Sequence, residues 1–134
     1  MTKSFPAKIE QLGSVCAFLE EQLEALSCPM KVVSTSTMAL EEMFVNVANY
    51  AYPDGNGTVD VELHAENTPR SCSITLTDCG IPFNPLSKEE PDTSLPAEAR
   101  EIGGLGILMT RKLMDECSYE RKDGKNVFTM KKFF

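Results

Sequence analysis

At 134 residues the chain is long enough for a single domain with its own apolar core. Its net charge of −7, from 20 acidic against 13 basic residues, and the lack of any Lys/Arg stripe exclude a surface that tracks a nucleic-acid backbone. A small anionic ligand held by backbone N–H groups stays open. The five scattered cysteines form no C-x-x-C pair and read as small buried hydrophobes of a reducing compartment. No segment approaches the ~20 apolar residues of a membrane span, and the first residues lack the apolar run of a signal peptide, so the expected location is the cytoplasm.

Residues 3–5 read as a short edge strand, and Pro6 suits the first turn of a helix. Ile9, Leu12, Cys16, Leu19, Leu23 and Leu26 then recur at steps of three and four, the stripe of an amphipathic helix. Val15 and Phe18 widen it, giving either a broad core face or a second apolar flank for a partner. Ser27-Cys28-Pro29 breaks this helix, and Pro29 opens a second one expected to run to Tyr52. Along it Val33, Thr37, Leu40, Phe44, Val47 and Ala51 form one stripe, while Glu42 and Asn46 stack one turn apart on another side. A carboxylate can take a proton and a carboxamide oxygen can ligate a hard cation. Taken alone, the pair reads first as a solvated polar face, since such spacings are common on amphipathic helices.

Pro53-Asp54-Gly55-Asn56-Gly57 is a turn cluster. Val59, Val61, Leu63 and Ala65 alternate with Asp60, Glu62, His64 and Glu66, the period of a half-buried strand, which puts the single histidine on the wet side. Cys72, Ile74 and Leu76 mark a second strand close enough to form a hairpin with the first. It runs into Asp78-Cys79-Gly80-Ile81-Pro82-Phe83-Asn84-Pro85. Periodicity is lost over 86–102, a proline-bearing and mostly acidic stretch whose length suits a lid. Gly103-Gly104-Leu105-Gly106 opens a third helix, and two last strands at about 117–122 and 126–132 flank the hairpin signal Asp123-Gly124.

Three features stand in order: a helix with Glu42 and Asn46, an Asp78-x-Gly80 at a strand end, and a glycine turn at a helix start. The glycine turn lets backbone N–H groups approach phosphate, and the helix N-terminus adds partial positive charge. Asp78 has only acceptor oxygens to offer, which suits the exocyclic amino group of adenine, and Gly80 leaves room for the base.

With Tyr50-Ala51-Tyr52-Pro53, Pro82-Phe83-Asn84-Pro85 and Gly104-x-Gly106, this triple resembles the GHKL, or Bergerat-fold, ATPases. Among them it looks like the small stand-alone bacterial anti-sigma-factor serine kinases, and the resemblance spans essentially the whole chain. It implies an α+β fold, a two-layer α/β sandwich whose mixed, mostly antiparallel sheet carries three helices on one face. Residues 1–134 would form one histidine-kinase-like domain with an N-box helix at 30–52, an adenine-binding loop at 78–85, an ATP lid at 86–102 and a glycine box at 103–106. It also implies roles. Glu42 would be the catalytic base, Asn46 the Mg²⁺ ligand, Asp78 the adenine acceptor and Gly80 the packing position beneath the ring. Gly104 and Gly106 would cradle phosphates, Thr129 would support adenine, and Arg100 is the nearest basic residue for the γ-phosphate. The implied cofactors are ATP and Mg²⁺. The implied partners are a STAS-type anti-sigma-factor antagonist, a sigma factor and a second copy in a homodimer.

Three positions depart from the family pattern, one being Tyr50, where relatives often carry a basic residue or a histidine. Pro82 replaces the second glycine of the sensor-kinase D-x-G-x-G form, which favours the stand-alone subgroup. Ile102 stands where a basic residue precedes the glycine box, which leaves open a binding module that uses ATP only to set its conformation.

Overall fold

The computed structural model describes residues 1–87 and 104–134, without the side chains of residues 87 and 104–107. The expected lid beyond residue 87, with Arg100, Ile102 and Gly103, therefore lies outside the described residues.

Five strands form one sheet in the order β1-β2-β3-β5-β4, with β1 Thr2–Pro6, β2 Thr58–Asn67, β3 Arg70–Asp78, β4 Glu116–Lys122 and β5 Lys125–Phe133. Every pairing among the described strands is antiparallel, so the sheet lacks the parallel element expected of a mixed one. The β2–β3 and β4–β5 hairpins follow the alternation and the Asp123-Gly124 signal. Gly124 has φ 77° and Asp123 φ 53°, the left-handed pair that a two-residue turn demands.

Three helices cover one face: α1 Leu12–Ala25, α2 Met30–Asn46 and α3 Gly104–Leu113, with α2 packed between the other two. Val59, Val61 and Leu63 on β2, Cys72, Ile74 and Leu76 on β3, and Phe128 and Met130 on β5 bury against them in one core. Phe44 is wholly enclosed there, and truncating such a residue to alanine costs about 3–5 kcal/mol. The opposite face carries Asp60, Glu62, Thr75, Thr77 and Thr129 and stays partly wet. His64 lies on that side, exposed and 3.8 Å from Glu66, where the alternation placed it.

Two expectations are corrected, and one choice between readings is settled. Pro6 does not open a helix; it ends β1 opposite Thr58, on an edge strand where a missing N–H costs no ladder bond. Val15 and Phe18 widen the core face, the first of the two readings the sequence allowed, and do not form a flank for a partner. Both are buried with Leu19 and Leu23, and Phe18 meets Phe5 edge to face at 5.9 Å. The second helix is not uniform to Tyr52. It is α-helical only to Asn46 and continues as a π-helical turn, Val47–Ala51.

Candidate functional site

Asp78 is the last residue of β3, in the centre of the sheet, and is only 4% exposed. A buried carboxylate needs donors, and two converge on its Oδ1: the Gly80 N–H and the Asn126 Nδ2, both at 2.9 Å. The first closes a tight turn out of the strand. Gly80 is obligatory there, because a Cβ at that position would lie 2.2 Å from the Ala51 carbonyl oxygen. The neighbouring Ile81 N–H donates to that same oxygen at 2.8 Å. The Ala51 carbonyl is available because the π turn ends the helix there, so the last turn of the central helix and the 78–85 loop are joined backbone to backbone.

Tyr52 holds the other side of this joint. Its hydroxyl donates to the Thr58 carbonyl at 2.6 Å and accepts the Cys79 N–H at 2.8 Å. Burial pushes the phenol above its usual range, against the opposing hydrogen bond from Cys79, so it keeps its proton at neutral pH. From the far edge Arg121 donates to the Gly80 carbonyl at 2.8 Å.

Asn46 is 3% exposed and its Nδ2 donates to the Glu42 carbonyl at 2.9 Å. That bond commits the nitrogen and leaves Oδ1 as the ligating atom, the donor type a hard cation selects. Glu42, one turn earlier, is half-exposed, and its side chain makes no ion pair with another described residue. Among the described residues no group of three His, Cys, Asp or Glu side chains could hold a metal, so a cation here would depend on Asn46 and on a ligand's own oxygens.

Asn46 and Asp78 line one cavity together with Met43, Val47, Ala51, Leu76, Phe83, Tyr119, Asn126 and Phe128. Its walls are apolar with three convergent amide or carboxylate groups, the character of a small-ligand site. The enclosed space is about 20 Å³, room for about one water molecule. Phe83 is half-exposed and stacks on Tyr50 at 5.5 Å.

The structure thus brings Asn46, Asp78 and Gly80 together, with Glu42 one turn away. Gly104 is the first residue of α3 and Gly106 lies in its first turn. Thr129 is not brought to the cavity. It lies on the outer face of the sheet, where its hydroxyl meets that of Thr75 at 3.2 Å. The residue of β5 that stands beside Asp78 is Asn126, three positions earlier and of opposite parity. Sequence reasoning missed it, together with Tyr119 and Arg121. The available signal was the Asp123-Gly124 turn, which fixes the β4–β5 register once the buried face of β5 is known.

The geometry agrees with what the chain resembles. Residues 5–132 match the histidine kinase-like ATPase domain. The serine/threonine-protein kinase BtrW of Bordetella bronchiseptica is 27% identical over 96 residues, covering 72% of this chain and 67% of that protein. The serine-protein kinase RsbW of Halalkalibacterium halodurans is 29% identical over 132 residues, covering 96% of this chain and 79% of that one. Among solved structures, the RsbU and RsbW domains of Rv1364c from Mycobacterium tuberculosis superpose with a TM-score of 0.61 at 16% identity; 99% of this chain is covered but only 32% of the other. The histidine kinase domain of the Erythrobacter litoralis EL346 blue-light activated histidine kinase gives 0.55 at 13% identity, covering 90% of this chain and 59% of that one. At such identities the structures speak for the fold, and the match over residues 5–132 for the family: the chain belongs to the histidine kinase-like ATPases.

Proposed function

We propose that this chain is an ATP-dependent protein serine/threonine kinase of a bacterial partner-switching system. It would phosphorylate a STAS-type anti-sigma-factor antagonist and sequester a sigma factor when not held by that antagonist. The observation that carries the reading is Glu42, one turn from an Asn46 that shares a cavity with Asp78. The named kinases BtrW and RsbW support it.

Phosphoryl transfer needs positioning and charge neutralisation more than covalent chemistry from the protein. Asp78 accepts the adenine amino group, and Gly80 keeps the loop flush against Ala51 so that the base slides over it. The Asn46 oxygen would hold Mg²⁺, which when bound would neutralise charge on the phosphates. The first turn of α3, with Gly104 and Gly106, offers N–H groups to phosphate oxygens. Glu42 takes the proton of the attacking serine hydroxyl. Arg100 is the basic residue proposed for the γ-phosphate, and a homodimer is the proposed assembly. Among the described residues no helix is long and apolar enough to cross a membrane.

The test is transfer of labelled γ-phosphate to purified STAS-type antagonists, with Glu42→Gln in parallel. Transfer by the native chain and not by the variant supports the reading. ATP binding without transfer to any antagonist would instead establish a regulatory module acting by sequestration, the alternative that Ile102 before the glycine box favours.

A further inference from the structure

A carboxamide has two N–H donors and two acceptor lone pairs, and in Asn126 all four are used. Nδ2 donates to Asp78 Oδ1 at 2.9 Å and to the Ile81 carbonyl at 2.7 Å. Oδ1 accepts the Phe83 N–H at 3.2 Å and the Tyr119 hydroxyl at 2.6 Å. The orientation of this amide is set by its partners. The Phe83 N–H can only donate and the Ile81 carbonyl can only accept, so a flipped amide would face donor with donor and acceptor with acceptor. At 4% exposure no water compensates such a mismatch cheaply. One side chain on β5 therefore joins the end of β3, the edge strand β4 and two backbone groups of the 78–85 loop.

The consequence falls on Asp78. Both of its described donors, the Gly80 N–H and Asn126 Nδ2, bind Oδ1. That fixes the plane of the carboxylate and leaves Oδ2 to meet a ligand's donor. We propose that Asn126 is the positioning residue that makes the site select a 6-aminopurine: it aims Asp78 as a pure acceptor and clamps the loop against which the base packs. The inference rests on the nucleotide-binding reading above. Adenine presents an amino group to Oδ2. Hypoxanthine presents a carbonyl oxygen in the same place, acceptor against acceptor. A site built around a buried, oriented acceptor rejects such an analogue far more strongly than an apolar slot rejects a change of size.

The test is calorimetric titration of the native chain, Asn126→Ala and Tyr119→Phe with ATP and with inosine triphosphate, each with Mg²⁺. The native chain is expected to prefer ATP by about tenfold or more. Asn126→Ala should bring that ratio close to one, because Asp78 loses a donor and can turn. Tyr119→Phe removes only one of the amide's four bonds and keeps the ring in place; it should lower the ratio by about fivefold and leave the melting temperature within a few degrees of native. If Asn126→Ala fails to fold, Tyr119→Phe decides alone. A purely structural Asn126 would weaken both nucleotides by the same factor and leave the ratio unchanged, which overturns the proposal while the nucleotide site stands. A native chain that binds neither nucleotide removes the reading beneath it as well.

Discussion

The two ends of the cavity are built to different standards. At the β3–β5 end every polar group around Asp78 is committed: Asn126 in all four directions, Tyr52 in two, Arg121 to the Gly80 carbonyl, and Gly80 against Ala51 with no space to spare. At the α2 end Asn46 has one hydrogen bond to its own helix, and Glu42 stands half-exposed without a described ion-pair partner. Recognition of a base requires fixed donors and acceptors before the ligand arrives, since each misplaced group forfeits its hydrogen bond. A proton acceptor for a protein hydroxyl must instead stay accessible to a second macromolecule. On the proposed function, selectivity would be prepared in advance at one end, and chemistry would wait for its substrates at the other.

Substitutions at the two ends should therefore separate cleanly. Glu42→Ala is expected to lower phosphotransfer by about 10²–10⁴-fold while changing ATP affinity by no more than about twofold, read by labelled-phosphate transfer and calorimetry on one preparation. A large loss of affinity in this variant would break the division. Asp78→Asn should weaken ATP by about 100-fold, since an amide cannot both accept from Gly80 and Asn126 and present an acceptor to the base. Gly80→Ala forces the loop off Ala51 and should cost about 1–3 kcal/mol of stability, visible as a lower melting temperature even without nucleotide. Asn46→Ala should abolish the Mg²⁺ enhancement of ATP binding, about tenfold, and leave metal-free binding untouched. The smallest effect concerns thiols. Cys79, exposed in the loop, should be alkylated first and be shielded severalfold by ATP. Buried Cys72 should react slowly with or without nucleotide, because burial pushes its thiol up.

The regular parts of the fold were legible because their signals are local. The β2 alternation, the Asp123-Gly124 hairpin and the buried stripe through Leu40 and Phe44 each need only a short window of sequence. Asn126 was hidden because its importance comes from pairing with Asp78, 48 residues earlier, across a register that no local pattern states. The run Asn126-Val127-Phe128-Thr129-Met130 makes parity hard to read as well, since apolar residues occupy both faces. Thr129, which the family resemblance offered as a support for adenine, lies on the other side of the sheet, opposite Thr75. The π turn at Val47–Ala51 was invisible for a related reason. Its residues suit an ordinary helix, and the partner that stabilises the wider turn, the Ile81 N–H, is supplied from a distant loop.

That wider turn also makes the spacing between Asn46 and Ala51 a counted quantity. An ordinary α-helix would span the same stretch with one residue fewer, so removing any single residue from 47–51 would give a more regular helix. An added residue would instead rotate everything beyond it by about 100° about the helix axis relative to Asn46. The Ala51 carbonyl would then leave Ile81, and Tyr52 would leave Cys79. Insertions, usually tolerated at helix ends, should be excluded from this one, whereas point substitutions at Ala48 or Asn49 should pass with little effect.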